Sequence, residues 1–372
     1  MGSPSAHGRQ RCRRDWASLD AGPAGLVAEH ALRNDVVDFI CFRAACRAWR
    51  ACSTHLRAQG VLDRRSHPRR WIMLPKVFNN IHDQRRFLNI LTGKSIYRSL
   101  PVLDTLRSYV VGTTSEGLVL LLGTGVGRLL NPLTGQVAEL PSAASLLKGG
   151  LTRPLGDLGL SCAGLANDDT VMLSFPLTNN LAVAKSGDER WTRVYSSSSR
   201  ITSPLPFAGN VYCVTSKNIS LVETQTTGNQ RRQLVAAADL ALHNRQLKKF
   251  LMENNGELIL CLCPGGPYTP GTLILCSLYR MDWDAKNMVR LHGLGGKALF
   301  LGKRRSLLVA AGVSPSITAD TAYLLWEKPN DDATAYAVDL YGDGELVETK
   351  FKKDDVAYYL SCFVSLCNSE YI

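Results

Sequence analysis

The fold predicted by the sequence is a small all-α module followed by a large all-β domain, a β-propeller of about six blades. Three observations predict it. Residues 15–57 place apolar side chains at helical spacing. After about residue 70 the pattern changes to apolar or alternating runs of four to eight residues, broken by Gly, Pro, Asn, Asp and Ser. A strand-turn-strand plan also recurs, with L-T-G at 91–93 then Leu100-Pro101, and L-T-G at 133–135 then Leu140-Pro141.

The 372 residues are 45% hydrophobic and 20% charged, which is enough apolar material for a core and excludes a disordered or collagen-like chain. No apolar run approaches the ~20 residues a membrane helix needs, and the first residues carry no apolar stretch of signal-peptide type. The expectation is a soluble intracellular protein of the cytoplasm, the nucleus or both, with no membrane partner. Eleven cysteines in no C-x-x-C pair are expected as reduced thiols. Of the net charge of +11, +7 falls in residues 1–70, where 13 Arg and no Lys face 6 acids. Arg9, Arg11, Arg13 and Arg14 belong to a tail, 1–14, that is expected to be disordered. No aromatic residue interleaves with these arginines before Trp16, so a nucleic-acid partner is not expected.

Within the helical module, 15–57, Pro23 suits a first helical turn, and Leu26, Val27, Ala31 and Leu32 form a short apolar face. Gly22 and Gly25 weaken that helix. From Val36 the positions Val36, Phe39, Phe42, Cys46 and Trp49 recur at steps of 3, 3, 4 and 3, which predicts one stripe of a second helix. Asn34 or Asp35 caps its start, and Arg47 and Arg50 suit its end. Residues 58–75 read as a linker, 76–345 as the propeller and 346–372 as a C-terminal segment that closes it. Strands are predicted over 87–91, 118–122, 171–175, 210–215, 257–262, 273–279, 307–311 and 335–340. Residues 232–242 are the one later stretch with a helical look. Segments 191–195 and 281–289 read as outer strands or turns of blades.

The segment from D-W-A-S-L at 15–19 to F-R-A-A-C-R-A-W-R at 42–50 resembles an F-box. Asp35, Val36, Phe42, Arg43, Cys46, Trp49 and Arg50 keep that family's register. The front departs from it: where the family has Leu-Pro and then a Leu-Leu pair, this chain has Leu19-Asp20 and Pro23-Ala24. By the resemblance, leucine at positions 23 and 24 would restore apolar docking surface. Residues 70–345 resemble the KIB-type β-propellers of plant F-box proteins. The carrying pieces are L-L-N-P-L-T-G at 129–135, K-F-L-M-E-N-N-G-E-L-I-L at 249–260, L-G-G-K-A-L-F-L-G at 294–302 and A-Y-A-V-D-L-Y-G-D-G at 335–344.

The resemblance implies a substrate-recognition subunit of a Skp-cullin-F-box type E3 ubiquitin ligase. The F-box would bind a Skp-type adaptor, and through it a cullin, while the β domain holds an unknown protein substrate. By register the adaptor contacts are Leu19, Leu26, Val27, Val36, Ile40 and Phe42, with Trp49 packing the helices together. Such a receptor works by proximity and needs no catalytic residue, cofactor or metal of its own.

The alternative is a propeller small-ligand binder or enzyme with a vestigial F-box. Gly123, Gly125 and Gly127 sit between two apolar runs with no helix following, which reads as a hairpin turn rather than a phosphate loop. G-T-T-S-E-G at 112–117 misses the nucleophile elbow. The seven histidines form no H-x-x-x-H, and Cys41 with Cys46 or Cys261 with Cys263 lacks a second ligand pair. The acid pairs Asp168-Asp169, Asp331-Asp332 and Asp354-Asp355 read as solvated turns.

Overall fold

Six sheets arranged in a ring follow one another along the chain. The computed structural model describes residues 16, 19–56, 60–74, 84–101, 108–123, 125–146, 161–166, 169–175, 180–194, 201–223, 234–240, 247–266, 268, 270–302, 306–325, 334–352 and 355–365. Blade 1 holds Trp71–Met73 (β1), Gln84–Asn89 (β2) and Ser95–Ser99 (β3). Blade 2 holds Ser108–Thr113 (β4), Val119–Gly123 (β5), Gly127–Leu130 (β6) and Val137–Leu140 (β7). Ser161–Leu165 (β8), Val171–Phe175 (β9), Asn180–Ala184 (β10) and Thr192–Val194 (β11) form blade 3. Thr202–Phe207 (β12), Asn210–Val214 (β13), Asn218–Val222 (β14) and Leu234–Asp239 (β15) form blade 4. Blade 5 runs through Leu247–Asn254 (β16), Glu257–Pro264 (β17), Ser277–Asp282 (β18) and Asn287–Arg290 (β19).

Blade 6 breaks the pattern of antiparallel neighbours in chain order. Its strands are Lys297–Leu301 (β20), Ser306–Ala310 (β21), Thr321–Leu325 (β22), Thr334–Asp339 (β23) and Val347–Lys350 (β24), in the order β21-β20-β22-β23-β24. The chain turns back from β20 to place β21 innermost, so β22 must pair β20 in parallel. The inner ring is β1, β4, β8, β12, β16 and β21, each beside the next. It is tied shut where Ala310 N donates to Ile90 O at 3.4 Å.

The second strand of a blade lies between neighbouring blades and is buried on both faces, so β5, β9 and β17 are continuous apolar runs rather than alternating ones. Outer strands such as β7, β19 and β24 face water and are polar. Each gap between adjacent blades is filled by one apolar cluster. Two of the six gaps also receive helices. Helix α1 (Ala21–Asn34), α2 (Val36–Ala45) and α3 (Arg47–Ala51) pack on blades 1 and 2 through Ala24, Ala28, Val36, Phe39 and Phe42. Helix α4 (Val356–Ser365) seals the gap between blades 6 and 1 with Leu360, Phe363 and Val364.

The recurring L-T-G marks a shared turn. In blade 1 the Asn89 Oδ1 accepts from Leu91 N at 2.9 Å and Thr92 N at 3.2 Å, and Gly93 closes the turn at φ 70°. In blade 2 the Asn131 Oδ1 accepts from Leu133 N at 3.0 Å and Thr134 N at 3.2 Å, with Gly135 at φ 75°. Asparagine supplies the bent acceptor and glycine the left-handed backbone, which is why the two residues stay four apart.

Several expectations are corrected. Within 232–242, the described Leu234–Asp239 is a strand that pairs with β14, and tertiary pairing overrides the helix preference of its alanines. The stripe from Val36 to Trp49 is not one helix, because Cys46 is extended at φ −156° and ψ 169° and separates α2 from α3. Residues 58–75 do not form a free linker where described, since β1 pairs with β2 there and Val61, Ser66, His67 and Pro68 are buried. Strand β18 begins at Ser277, not 273. Cys263 and Cys276 face each other in the apolar cluster between blades 5 and 6, with Cα atoms 4.5 Å apart. The tail 1–14 lies outside the described residues, as do Asp168, Asp331, Asp332 and Asp354.

Candidate functional site

The F-R-A-A-C-R-A-W-R string acquires a geometric reason once α2 and α3 are placed. Positions seven apart meet across the break at Cys46. Phe42 and Trp49 stack at 4.7 Å with 12° between ring planes. Arg43 Nη1 donates to Ser53 O at 2.6 Å, Ser53 Oγ at 2.7 Å and Thr54 O at 2.9 Å, which closes the C-terminus of α3. Arg50 Nε returns a bond to Arg43 O at 3.1 Å. Cys46 Sγ caps α3 by accepting from Trp49 N at 3.4 Å. Trp49 Nε1 donates to Trp16 O at 3.0 Å, which anchors the chain ahead of α1.

Of the two candidate caps for α2, the structure uses Asp35, which accepts from Val37 N at 2.8 Å. The same carboxylate binds the propeller. Trp71 Nε1 donates to both of its oxygens at 3.0 Å, and Asn89 Nδ2 donates to one at 2.9 Å. The equivalent residue of blade 2, Asn131, donates through Nδ2 to Ser66 O at 2.8 Å. Both asparagine turns therefore hold the N-terminal segment as well as their own hairpins, a role that the sequence did not reveal.

The six residues assigned to adaptor contact separate into three groups. Leu26 is 73% and Val27 49% exposed, so both face outward from α1. Leu19 and Ile40 are half-buried against the cluster of blades 1 and 2. Val36 and Phe42 are buried at 3% and 8% and form core, not docking surface. The inward face of α1 is Ala24, Ala28 and Leu32, so of the apolar set Leu26, Val27, Ala31 and Leu32 only Leu32 is buried. Ala24 is buried, so leucine there would overpack the cluster instead of enlarging a docking face.

A second concave surface lies in the channel, a cavity of about 250 Å³ lined by Ile72, Pro204, Leu251, Leu307 and other inner-ring residues. Among the described residues, its charged lining is Arg69 and Glu253. Serines satisfy the exposed backbone of the inner strands. Ser203 Oγ accepts from Leu251 N at 2.6 Å, and Ser306 Oγ donates to Leu251 O at 3.3 Å. Ser203 sits at φ 47° in a bulge where β12 shifts register. Beside the channel, burial pushes the Glu116 carboxyl upward in pKa, while its Oε1 accepts from Leu165 N at 3.3 Å. Cys213 and Cys261 are buried thiols whose pKa burial pushes up to about 12. Asp355, one of the expected solvated acids, instead accepts from Ser316 Oγ at 2.6 Å, Ser314 Oγ at 2.8 Å and Ala357 N at 2.8 Å.

A ring of six sheets around such a channel, with a short helical segment at residues 21–51 before it, defines a six-bladed β-propeller. Residues 67–359 match the family model described as KIB1-4 beta-propeller, and the chain belongs to that family. No curated protein matches the sequence. Among solved structures, virginiamycin B lyase from Staphylococcus aureus is 12% identical at a TM-score of 0.32, covering 66% of this chain and 71% of that one. YCF48 from Cyanidioschyzon merolae is 10% identical at a TM-score of 0.32, covering 75% of this chain and 98% of that one. Neither likeness is close enough to bear on function.

Proposed function

We propose that this chain is the substrate-recognition subunit of a Skp-cullin-F-box type E3 ubiquitin ligase, non-catalytic itself, acting in the cytoplasm or nucleus. The observation that carries the reading is the lock between α2 and α3. Phe42 with Trp49, and Arg43 with Arg50, are four of the seven residues through which the segment resembles an F-box. Around that lock α1 presents Leu26 and Val27 to solvent, an apolar pair suited to a helix-binding groove on a Skp-type adaptor. The propeller, a fold that binds partners through its loops and channel, would hold the protein substrate and bring it near the charged ubiquitin-conjugating enzyme.

The test is calorimetric titration of the full chain with a purified Skp-type adaptor. A micromolar or tighter complex is expected, weakened at least tenfold by Leu26→Asp, which alters a solvent-facing side chain without disturbing the core. Absence of binding, with a control F-box protein binding the same adaptor, would overturn the reading. The small-ligand alternative rests on the channel cavity, and its apolar lining suits an apolar ligand.

A further inference from the structure

Where α1 meets α2 lies a second cavity, of about 550 Å³ and open to solvent. That volume is within the range of small-ligand sites. Its walls come from two stretches of chain, 29–36 and 64–71, so it lies at the joint between helices and propeller. Five arginines line it, Arg33, Arg64, Arg65, Arg69 and Arg70, against two acids, Glu29 and Asp35.

The local bonds sort these charges. Asp35 is committed to Val37, Trp71 and Asn89. Arg65 pairs with Asp63 at 3.2 Å, and Arg64 donates to Ala166 O at 2.6 Å. Arg33, Arg69 and Arg70 make no ion pair among the described residues. Arg70 is nevertheless aimed: its Nη1 donates to Asn34 Oδ1 at 3.1 Å, and Asn34 Nδ2 donates to Asp38 Oδ2 at 3.2 Å. An amide acceptor fixes the direction of a guanidinium and leaves its charge uncompensated. The positive field is felt at His67 in the same wall, whose pKa is held down to about 4 by burial first, then by Arg69 and Arg64, against an opposing hydrogen bond that the Val61 carbonyl accepts from its ring. With Arg65 paired to Asp63, the four remaining arginines of the lining face two acids, Glu29 and Asp35, and a compact anion of two or more charges balances the excess.

We infer that this cavity binds a small, free, phosphate-bearing anion of at least two negative charges, gripped by Arg33 from α1 and by Arg69 and Arg70 from the stretch before β1. The ligand would bridge the helical segment and blade 1. This inference does not depend on adaptor binding.

The experiment is calorimetric titration of the full chain with tripolyphosphate at fixed ionic strength, with sulfate and a phosphorylated peptide as comparators. One saturable site is expected, tighter for tripolyphosphate than for sulfate. Arg33→Gln and Arg69→Gln should each weaken it at least tenfold, while Arg290→Gln, at an exposed arginine of β19, leaves it unchanged. No saturable heat, equal weakening by all three substitutions, or preference for the phosphorylated peptide over the free anion would overturn it.

Discussion

Replacing Asp35 with alanine removes three separate functions of one carboxylate. The α2 cap is lost, which costs about 1 kcal/mol. Trp71 Nε1 and Asn89 Nδ2 lose their acceptor, and both residues are buried, at 3% and 2% exposed. An orphaned buried donor costs about 1–3 kcal/mol. Asp35 itself is half-buried, so water reaches part of the vacated space and the lower end of the sum applies, about 3 kcal/mol in all. Urea unfolding of the full chain measures this as a shift in midpoint at constant slope. A double-mutant cycle with Trp71→Phe, which keeps the packing and deletes the indole donor, should return a coupling of at least about 1 kcal/mol. A loss of about 1 kcal/mol with no coupling would mean that Asp35 only caps its helix, and would refute its role as the joint between helices and propeller.

Two further outcomes are expected. The His67 ring, held by burial at a pKa of about 4 instead of 6.5, is neutral when folded, so the unfolded chain takes up a proton that the folded chain refuses between those values. Stability should therefore fall as pH drops from 6.5 to 4, by up to about 3 kcal/mol, and His67→Gln should flatten that slope in urea titrations repeated across the window; an unchanged slope would assign the effect elsewhere. Gly117 sits at φ +81°, and a Cβ there would lie 2.1 Å from Pro68 O, so Gly117→Ala should cost more than about 2 kcal/mol in thermal melts, and a loss under 1 kcal/mol would show that the segment at Pro68 yields.

The strands legible in the sequence are those whose burial leaves a continuous trace. Residues 118–122 and 171–175 read as apolar runs because neighbouring blades cover both their faces. The two L-T-G turns were visible for a similar reason, since a left-handed residue demands glycine. The alanine-rich β15 was not legible, because its conformation comes from pairing with β14 rather than from its own preference. A helical stripe also does not say what covers it: Val36 and Phe42, expected as adaptor contacts, belong to a stripe that blades 1 and 2 conceal, while Leu26 and Val27, expected in the same role, point to water. The helix break at Cys46 left no glycine or proline to mark it. The arginine-lined cavity was hidden because its walls are some thirty residues apart in sequence and the charge excess of the front end was read as a whole.

The apolar cluster shared by α1, α2 and the first two blades bears on how this chain can be divided. Cutting after residue 70 would bare Ala24, Phe39 and Phe42 on one fragment, and Trp71, Met73 and Phe87 on the other. Each fragment would carry a sticky apolar surface that the intact protein never shows. Loss of binding by a truncated piece would then report aggregation rather than the absence of an interaction. Because the front segment and the propeller share this cluster, roles are best assigned to either by point substitutions at outward-facing positions of the whole chain.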